Sequence, residues 1–169
     1  MGSPFSGINH LALITPNMDE TVRFYRDILG CDLVATIGKY RGDQWMRHYF
    51  FSIGDQNTIA FFEWSGVDDI GPRKDAGIPA NGRQFDHLSF NVKDEESLLA
   101  MQQRLRDHGV DVTQVIDHEI VHSIYFDDPH GISLEVSYWL VDVEKEPSLK
   151  DERPVAAVAE AQAPVVARP

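Results

Sequence analysis

The apolar residues in the first part of the chain predict a strand, a helix and three further strands. An apolar run after Ile8 leads into apolar residues at helical spacing, and Gly30 then marks the end of the predicted helix. The helical positions are Met18, Val22, Tyr25 and Leu29. Runs rich in β-branched and aromatic residues predict the later strands over Cys31–Ile37, Gln44–Ile53 and Asn57–Trp64. We therefore predict a βαβββ module over residues 7–64.

The same order of elements returns in the second part of the chain. Leu98, Met101 and Leu105 have helical spacing, and Gly109 follows them as a stop. Three more strands are predicted over Val110–Ile116, Glu119–Phe126 and Ile132–Trp139. The second module covers residues 85–139, and the repeat aligns His10 with His87. The prediction is an α+β fold in which two βαβββ modules form one curved mixed sheet.

Two segments lie outside the repeat. Residues 65–84 between the modules contain several Gly and Pro residues, which is typical of a linker or an active-site loop. Residues 140–169 form a tail that becomes a simple mixture of Ala, Val and Pro after Pro154. We expect this tail to be flexible because its composition gives no amphipathic period.

Composition and charge restrict the possible partners. The 169 residues, 43% of them hydrophobic, suit one domain (residues 7–139) with a sizeable core. The net charge of −12, from 15 basic and 27 acidic residues, opposes binding to nucleic acid or an anionic membrane and favours a small-molecule substrate. Cys31 is the single cysteine, so no disulfide can form within the chain. Without a signal-like or membrane-spanning apolar run, we expect a cytoplasmic protein.

Four residues suggest a metal site because they recur in the two modules. His10 and His87 lie on the first strand of each module, and Glu63 and Glu135 lie on the last. A buried carboxylate such as Glu135 costs several kcal/mol unless a cation pairs with it. If the modules pack about a pseudo-two-fold axis, these side chains can point into one cavity, with Ile59, Phe61 and Glu63 on one face of their strand. Imidazoles and carboxylates suit a divalent transition metal. Each residue alone is also compatible with an ordinary structural role.

The sequence resembles the vicinal oxygen chelate superfamily, which includes glyoxalases, bleomycin-binding proteins and extradiol dioxygenases. The resemblance covers about residues 7–139 and rests on the repeated module and on the segments "NHLAL", "FYRDILG", "DHLSF" and "DPHGISLE". It implies a divalent metal ion (Fe, Mn, Ni, Co or Zn) at His10, His87 and Glu135. Glu63 matches the fourth ligand of the glyoxalase-like members. Members of the superfamily often form homodimers, which we expect here also.

Smaller features favour oxygen chemistry. The segment from Ile116 to Glu135 resembles the extradiol dioxygenase signature, with His118 and Tyr125 at matching positions. If the Asp128–Gly131 turn closes a hairpin, Tyr125 lies opposite Glu135, where its phenol can hydrogen-bond a substrate oxygen. We predict Tyr125 and His118 as catalytic residues. However, His118 alternates differently from Tyr125 along the predicted strand, so a bulge or bend is needed to bring both into one pocket.

Two features oppose a standard extradiol enzyme. Asn57 stands where the resemblance places an acid–base histidine. Glu63 would add a carboxylate to the metal and leave fewer positions for substrate and dioxygen, which fits lyase or epimerase chemistry with Glu63 or Glu135 as the base. His48 is another candidate near the site. The leading prediction is an extradiol-like dioxygenase. A glyoxalase-like lyase or an epimerase is the main alternative, and a drug-binding protein of the bleomycin-resistance type is a further one.

Overall fold

The computed structural model describes residues 6–70 and 86–145, together with Val155, Ala156 and Val158. The first module contains β1 (His10–Ile14), α1 (Met18–Val22), a π-helix that continues it (Arg23–Ile28), β2 (Leu33–Arg41), β3 (Gln44–Ser52) and β4 (Thr58–Trp64). The second contains β5 (Leu88–Asn91), α2 (Glu95–Asp107), β6 (Ile116–Asp117), β7 (Val121–Asp127) and β8 (Ser133–Trp139). The prediction of two βαβββ modules is confirmed.

The strands of the described residues are hydrogen-bonded as two four-stranded sheets, one in each module, with the orders β1-β4-β3-β2 and β5-β8-β7-β6. In each sheet the first and last strands of the module are parallel neighbours, and the other pairs are antiparallel. The strands with the two aligned histidines, β1 and β5, therefore lie at sheet edges. His87 itself comes directly before β5.

Polar side chains fix the start of both helices. Asn17 accepts a hydrogen bond from the Glu20 backbone N–H at 3.1 Å, and Asp94 accepts one from the Ser97 N–H at 3.0 Å. These contacts satisfy N–H groups that have no partner within the helix. Gly30 follows the first helical segment with a φ of +82°, a conformation that glycine adopts at little cost. The predicted stop at Gly30 is confirmed.

The core joins the two modules through the first helical segment. Phe24 and Tyr25 are buried, and their rings lie 6.5 Å from Phe126 and 4.8 Å from Phe61, respectively. The Tyr25 hydroxyl donates to Asp128 at 3.3 Å. Because this segment contacts both modules, they share a continuous hydrophobic core that includes residues from each.

The structure corrects the predicted limits of two strands. Strand β2 continues to Arg41, four residues beyond the predicted end. In contrast, the strand predicted over Val110–Ile116 is reduced to β6, with one isolated bridge between Val112 and Phe126. The Thr113 backbone N–H still donates to the Tyr125 carbonyl at 3.0 Å, but the Tyr125 N–H donates to the Thr113 hydroxyl at 3.0 Å, so a side chain replaces one of the two backbone contacts there.

Neither helix in the described part of the chain is long and apolar enough to cross a membrane. Most of the predicted linker, at residues 71–84, lies outside the described residues, and so do most residues of the predicted flexible tail after Lys145.

Candidate metal and substrate site

Glu135 is the centre of a polar cluster on the second sheet. Its side chain is only 6% exposed, in the middle of β8 between Ser89 on β5 and Tyr125 on β7. One carboxylate oxygen lies 2.7 Å from the His87 Nε2 atom, and the other accepts a hydrogen bond from the Ser123 hydroxyl. Both oxygens therefore have partners, which offsets the cost of burying the charge.

His118 and Tyr125 meet beside this carboxylate. The Nε2 atom of His118 and the Tyr125 hydroxyl share a hydrogen bond of 3.0 Å, and the Tyr125 ring lies 5.6 Å from the His87 ring. The bend required by the sequence is present because β6 ends before His118 and Glu119 has a φ of +70°. The tight turn directs His118 toward Tyr125 despite the alternation of the strand.

His122 lies on the opposite side of β7. Its Nδ1 atom lies 3.0 Å from the Tyr138 hydroxyl, and its Nε2 atom lies 3.5 Å from Asp117. These contacts separate His122 from the cluster around Glu135.

The pKa of Tyr125 is raised by burial of its phenol and, to a smaller extent, by the negative charge of Glu135. Both effects oppose ionisation, so the phenol keeps its proton at neutral pH. Tyr125 thus keeps a hydroxyl that can donate a hydrogen bond, and this hydroxyl lies 3.0 Å from the Nε2 atom of His118.

His10 belongs to a different group of side chains, on the first sheet. Its Nδ1 atom lies 2.7 Å from the Asn9 side-chain oxygen, and its ring lies 5.8 Å from Phe50 and 6.4 Å from His48. Burial and, secondarily, His10 lower the pKa of His48. The His48 Nε2 atom is buried without a hydrogen-bond partner in the described part of the chain.

Strand register shows that Glu63 does not occupy the repeat position of Glu135. In the second module, the residue two positions after His87 pairs with Glu135, whereas in the first module the residue two positions after His10 pairs with Ala60. Ala60 is therefore the counterpart of Glu135. Since Glu63 follows Ala60 by three positions, it points to the opposite face of β4. The assumption that the two carboxylates are equivalent is corrected.

Contacts on that opposite face explain why Glu63 is buried. Its Oε2 atom accepts a hydrogen bond from Arg47 at 2.6 Å, and its Oε1 atom accepts one from the Met18 backbone N–H at 2.9 Å. Met18 is the first residue of α1, where the partial positive charge of the helix favours a carboxylate. Glu63 therefore has an ion pair and a helix N-terminus as partners, and the structure does not bring it to either histidine.

The Asn57 side chain is also committed to structural contacts. Its oxygen accepts the Ile8 backbone N–H at 2.6 Å, and its amide nitrogen donates to the carbonyls of Gly54 and Asp55. It connects the start of β1 to the turn before β4. Asn57 is not titratable, so it cannot replace the acid–base histidine that the extradiol resemblance places at this position.

The sequence interpretation did not include Ser123, which contacts Glu135. Strand alternation could have predicted this contact, because Ser123 lies two positions before Tyr125 and therefore on the same face of β7. Together the structure assembles His87, Ser123, Tyr125, Glu135 and His118. It places His10 in a second group, and no set of three or more His, Cys, Asp or Glu side chains among the described residues is arranged to hold a metal ion.

Comparison with known proteins identifies the family. The model of the Glyoxalase/Bleomycin resistance protein/Dioxygenase superfamily matches residues 7–136, and the chain belongs to this superfamily. Its members include enzymes that depend on a divalent metal. The predicted resemblance is confirmed, whereas the particular reaction depends on the site.

Two curated relatives represent different reactions. The chain is 27% identical to a manganese-dependent 2,3-dihydroxybiphenyl 1,2-dioxygenase of Geobacillus genomosp. 3, over 86% of this chain and 39% of that protein. It is 25% identical to the metallothiol transferase FosB of Staphylococcus haemolyticus, over 77% of this chain and 81% of the relative. The chain thus spans well under half the length of the dioxygenase.

Solved structures agree on the fold. A variant of the fosfomycin resistance protein FosX from Listeria monocytogenes, in complex with Mn(II) and 1S,2S-dihydroxypropylphosphonic acid, has a TM-score of 0.60 and 18% identity. The likeness covers 83% of this chain and 97% of that one.

The donor atoms of the second module fit a divalent ion. His87 Nε2 and Glu135 Oε2 are 2.7 Å apart, a hydrogen-bond distance, so an imidazole nitrogen and a carboxylate oxygen converge on one point. Imidazole and carboxylate also suit a borderline transition metal. His10 would complete a set of three ligands if the group of side chains around His10 faced the cluster around Glu135.

Proposed function

We propose that the protein is a metal-dependent enzyme that binds its substrate through two neighbouring oxygens, with His10, His87 and Glu135 as the metal ligands. The observation that carries this proposal is the polar cluster in which His87 and Glu135 lie 2.7 Å apart beside the hydrogen-bonded pair of Tyr125 and His118. A divalent ion held there would act as a Lewis acid and stabilise negative charge on the substrate oxygens.

The protein groups provide proton transfer and orientation. The Tyr125 phenol is protonated and can donate a hydrogen bond to a substrate oxygen as charge develops on it. His118 can exchange a proton with the same hydroxyl across their 3.0 Å hydrogen bond. Ser123 holds one oxygen of Glu135, which orients the carboxylate toward His87.

We favour an extradiol-like dioxygenase acting on a catechol-like substrate. Because Glu63 is bound to Arg47 and the start of α1, the proposed ligand set would have three members and would leave positions for a bidentate substrate and dioxygen. The hydrogen bond between Tyr125 and His118 supports a shared role for these two residues of the extradiol-like segment. Similarity to a manganese-dependent dioxygenase supports manganese among the candidate metals.

The commitment of Asn57 favours a lyase or an epimerase as the second candidate. These reactions need a base on a carbon acid but not an acid–base histidine at position 57, and Asn57 is fully occupied by backbone contacts. His48 has an unpartnered buried nitrogen beside His10 and is the available base on that side. Glu63, by contrast, is unsuitable as the base because it is held in an ion pair on the other face.

A homodimer is the arrangement we expect to bring the two ligand groups together. Within the described residues of one chain, His10 contacts neither His87 nor Glu135, and the two histidines lie at the edge strands of separate sheets. Coexpression of differently tagged His10→Ala and Glu135→Gln chains tests this. The purified mixed dimer should contain one complete site and bind more metal than either variant alone. If mixing does not restore metal, sharing of the site between chains is refuted.

The reaction is tested by purification without oxygen, metal analysis and measurement of oxygen consumption. After loading with Mn(II) or Fe(II), we expect one O2 to be consumed for each 2,3-dihydroxybiphenyl or catechol opened. His87→Ala and Glu135→Gln should lose most metal and all activity. Turnover of a carbon acid without oxygen uptake would replace the dioxygenase by the lyase or epimerase. If the native protein binds no metal, the dioxygenase and the lyase or epimerase hypotheses are both rejected, and a drug-binding protein is favoured.

A further inference from the structure

The two modules present opposite chemistry at equivalent positions. Strand register matches Phe50 with Tyr125 and His48 with Ser123, just as it matches Ala60 with Glu135. The second module therefore places hydroxyls and a carboxylate where the first places a phenyl ring, an imidazole and a methyl group. This difference is unexpected if both faces serve only to bind a metal.

Aromatic rings form a continuous strip on this face of the first sheet. His48 stacks on Phe62 with a centroid distance of 3.5 Å, and Phe62 stacks on Trp64 at 5.1 Å with an interplanar angle of 7°. Phe50 extends the strip to His10, with its ring 4.2 Å from His48. Trp64 is 37% exposed and Ile37, which pairs with His48, is 43% exposed. The described residues thus leave the Trp64 end of the strip accessible.

Positive charge lies at the far end of the strip. Lys39 pairs with Met46, which pairs with Trp64, and Arg41 follows on the same face of β2. Both cations line a cavity of about 500 Å³ together with Trp45 and Trp64, and none of the described residues that line it is acidic. Asp43 lies nearby in the turn between β2 and β3 but is not part of the lining.

These cations are available to a ligand. Arg47 is already paired with Glu63 and stacks over Trp45 at 4.3 Å, whereas neither Lys39 nor Arg41 has an ion-pair partner in the part of the chain that the structure describes. In a chain with a net charge of −12, two unpaired cations beside aromatic rings select for an anion.

We propose that the strip and this cavity bind an elongated aromatic substrate with an anionic group at the end opposite its reacting oxygens. The inference rests on the proposed function, because it takes the oxygens to be held near His10. Six strand residues, about 20 Å, separate the level of His10 from that of Lys39, and the long side chains of Lys39 and Arg41 shorten the gap. A substrate of two or three rings suits this span, and its faces would stack on Phe62 and Trp64.

Binding of biphenyl-4-sulfonate, compared with neutral 4-phenylbenzyl alcohol, tests the proposal without turnover. A sulfonate is a weak metal ligand, so calorimetry on the full-length protein reports on the strip and cavity. We expect the sulfonate to bind more tightly than the alcohol, with an affinity that falls as salt is added. Trp64→Leu should weaken both ligands by about tenfold, because it removes a stacking surface. Equal affinities for the two ligands would overturn the proposal.

Charge variants separate specific from general attraction. The double variant Lys39→Gln with Arg41→Gln should lower the affinity for the sulfonate by about fivefold to tenfold. Its affinity for the alcohol should stay within about twofold of the native value. The control, Arg23→Gln with Arg26→Gln, removes two exposed cations from the first helical segment and should change neither. An equal loss of sulfonate affinity in the control would show that only the net charge of the protein matters, and would refute the anion site.

Metal content and oligomeric state complete the test. The Lys39, Arg41 and Trp64 variants should keep normal metal content, so a defect in sulfonate binding is distinguishable from failure of the metal hypothesis. Light scattering should show the same mass for Trp64→Leu and the native protein. A change in mass with undiminished sulfonate binding would show that a second copy of the chain covers the strip, and the substrate proposal would be wrong.

Discussion

Replacement of Glu63 by glutamine distinguishes a metal ligand from a structural carboxylate. Glu63 is 7% exposed, and its two oxygens are held by Arg47 at 2.6 Å and by the Met18 N–H at 2.9 Å. Glutamine keeps an oxygen for Met18 but presents an N–H group, or a neutral oxygen, to the guanidinium of Arg47. We therefore expect Glu63→Gln to lower stability and to leave metal content unchanged.

The size of the loss follows from the two contacts. A hydrogen bond to a charged group contributes about 1.5–3 kcal/mol, but the Arg47 side chain is 35% exposed and solvent screening reduces its share. The charge at the start of α1 adds about 0.5 kcal/mol. A total of about 2 kcal/mol corresponds to a decrease in Tm of roughly 4–8 °C for a chain of this length.

Urea unfolding followed by circular dichroism measures the stability, and elemental analysis measures the metal. Glu144→Gln is the matched control because it removes the same charge from an exposed position and should cost less than about 0.5 kcal/mol. A double-mutant cycle with Arg47→Met should give a coupling energy of about 1–2 kcal/mol. If Glu63→Gln instead loses metal at unchanged stability, the assignment of Glu63 to the Arg47 ion pair is refuted.

Further predictions concern three other buried groups. Tyr125→Phe removes the hydrogen bond to His118 and should lower kcat by about 10²-fold at unchanged metal content; full activity would exclude a proton-transfer role. Burial raises the pKa of Cys31 to about 11, so this thiol should react slowly with a disulfide reagent at pH 8 until the chain unfolds. Since the raised pKa makes the folded state bind the proton more tightly, the contribution of Cys31 to stability should decline as pH rises from about 9 to about 11. Asp128→Ala should lower the free energy of unfolding in urea by about 2–4 kcal/mol, because it leaves the backbone N–H groups of His130 and Ile132 without their acceptor. Asp128→Asn should lower it much less.

The modules could be predicted from sequence because their apolar periods are regular and their helices end at glycines. The alignment of His10 with His87 depends on the same regularity. It was harder to predict that Glu63 is not the counterpart of Glu135. Glu63 is three residues from the true counterpart, Ala60, and a shift of three residues places a strand side chain on the other face of the sheet. A signal was available: aligning Trp64 with Trp139 matches Ala60, and not Glu63, with Glu135.

The position of His118 shows a different limit. Strand alternation separates it from Tyr125, and only the turn at Glu119, with its positive φ, joins them. A positive φ at a residue other than glycine is uncommon, so there was little reason to expect it at Glu119. Likewise, the interruption of the strand before β6 depends on the Thr113 side chain taking over a backbone contact. Local exceptions of this kind depend on tertiary contacts and cannot be predicted from periodicity.

The presence of alanine at position 60 affects the charge of the proposed site. Two neutral imidazoles and the single carboxylate of Glu135 would leave a divalent ion with one net positive charge, whereas a carboxylate at position 60 would cancel it. A positive centre favours binding of ionised vicinal oxygens and stabilises the charge that grows on them. Ala60 is also fully buried and pairs with Phe50 in the sheet. The structural asymmetry between the modules thus favours substrate activation at one charged centre, with the polar side supplied by the second module and the aromatic side by the first.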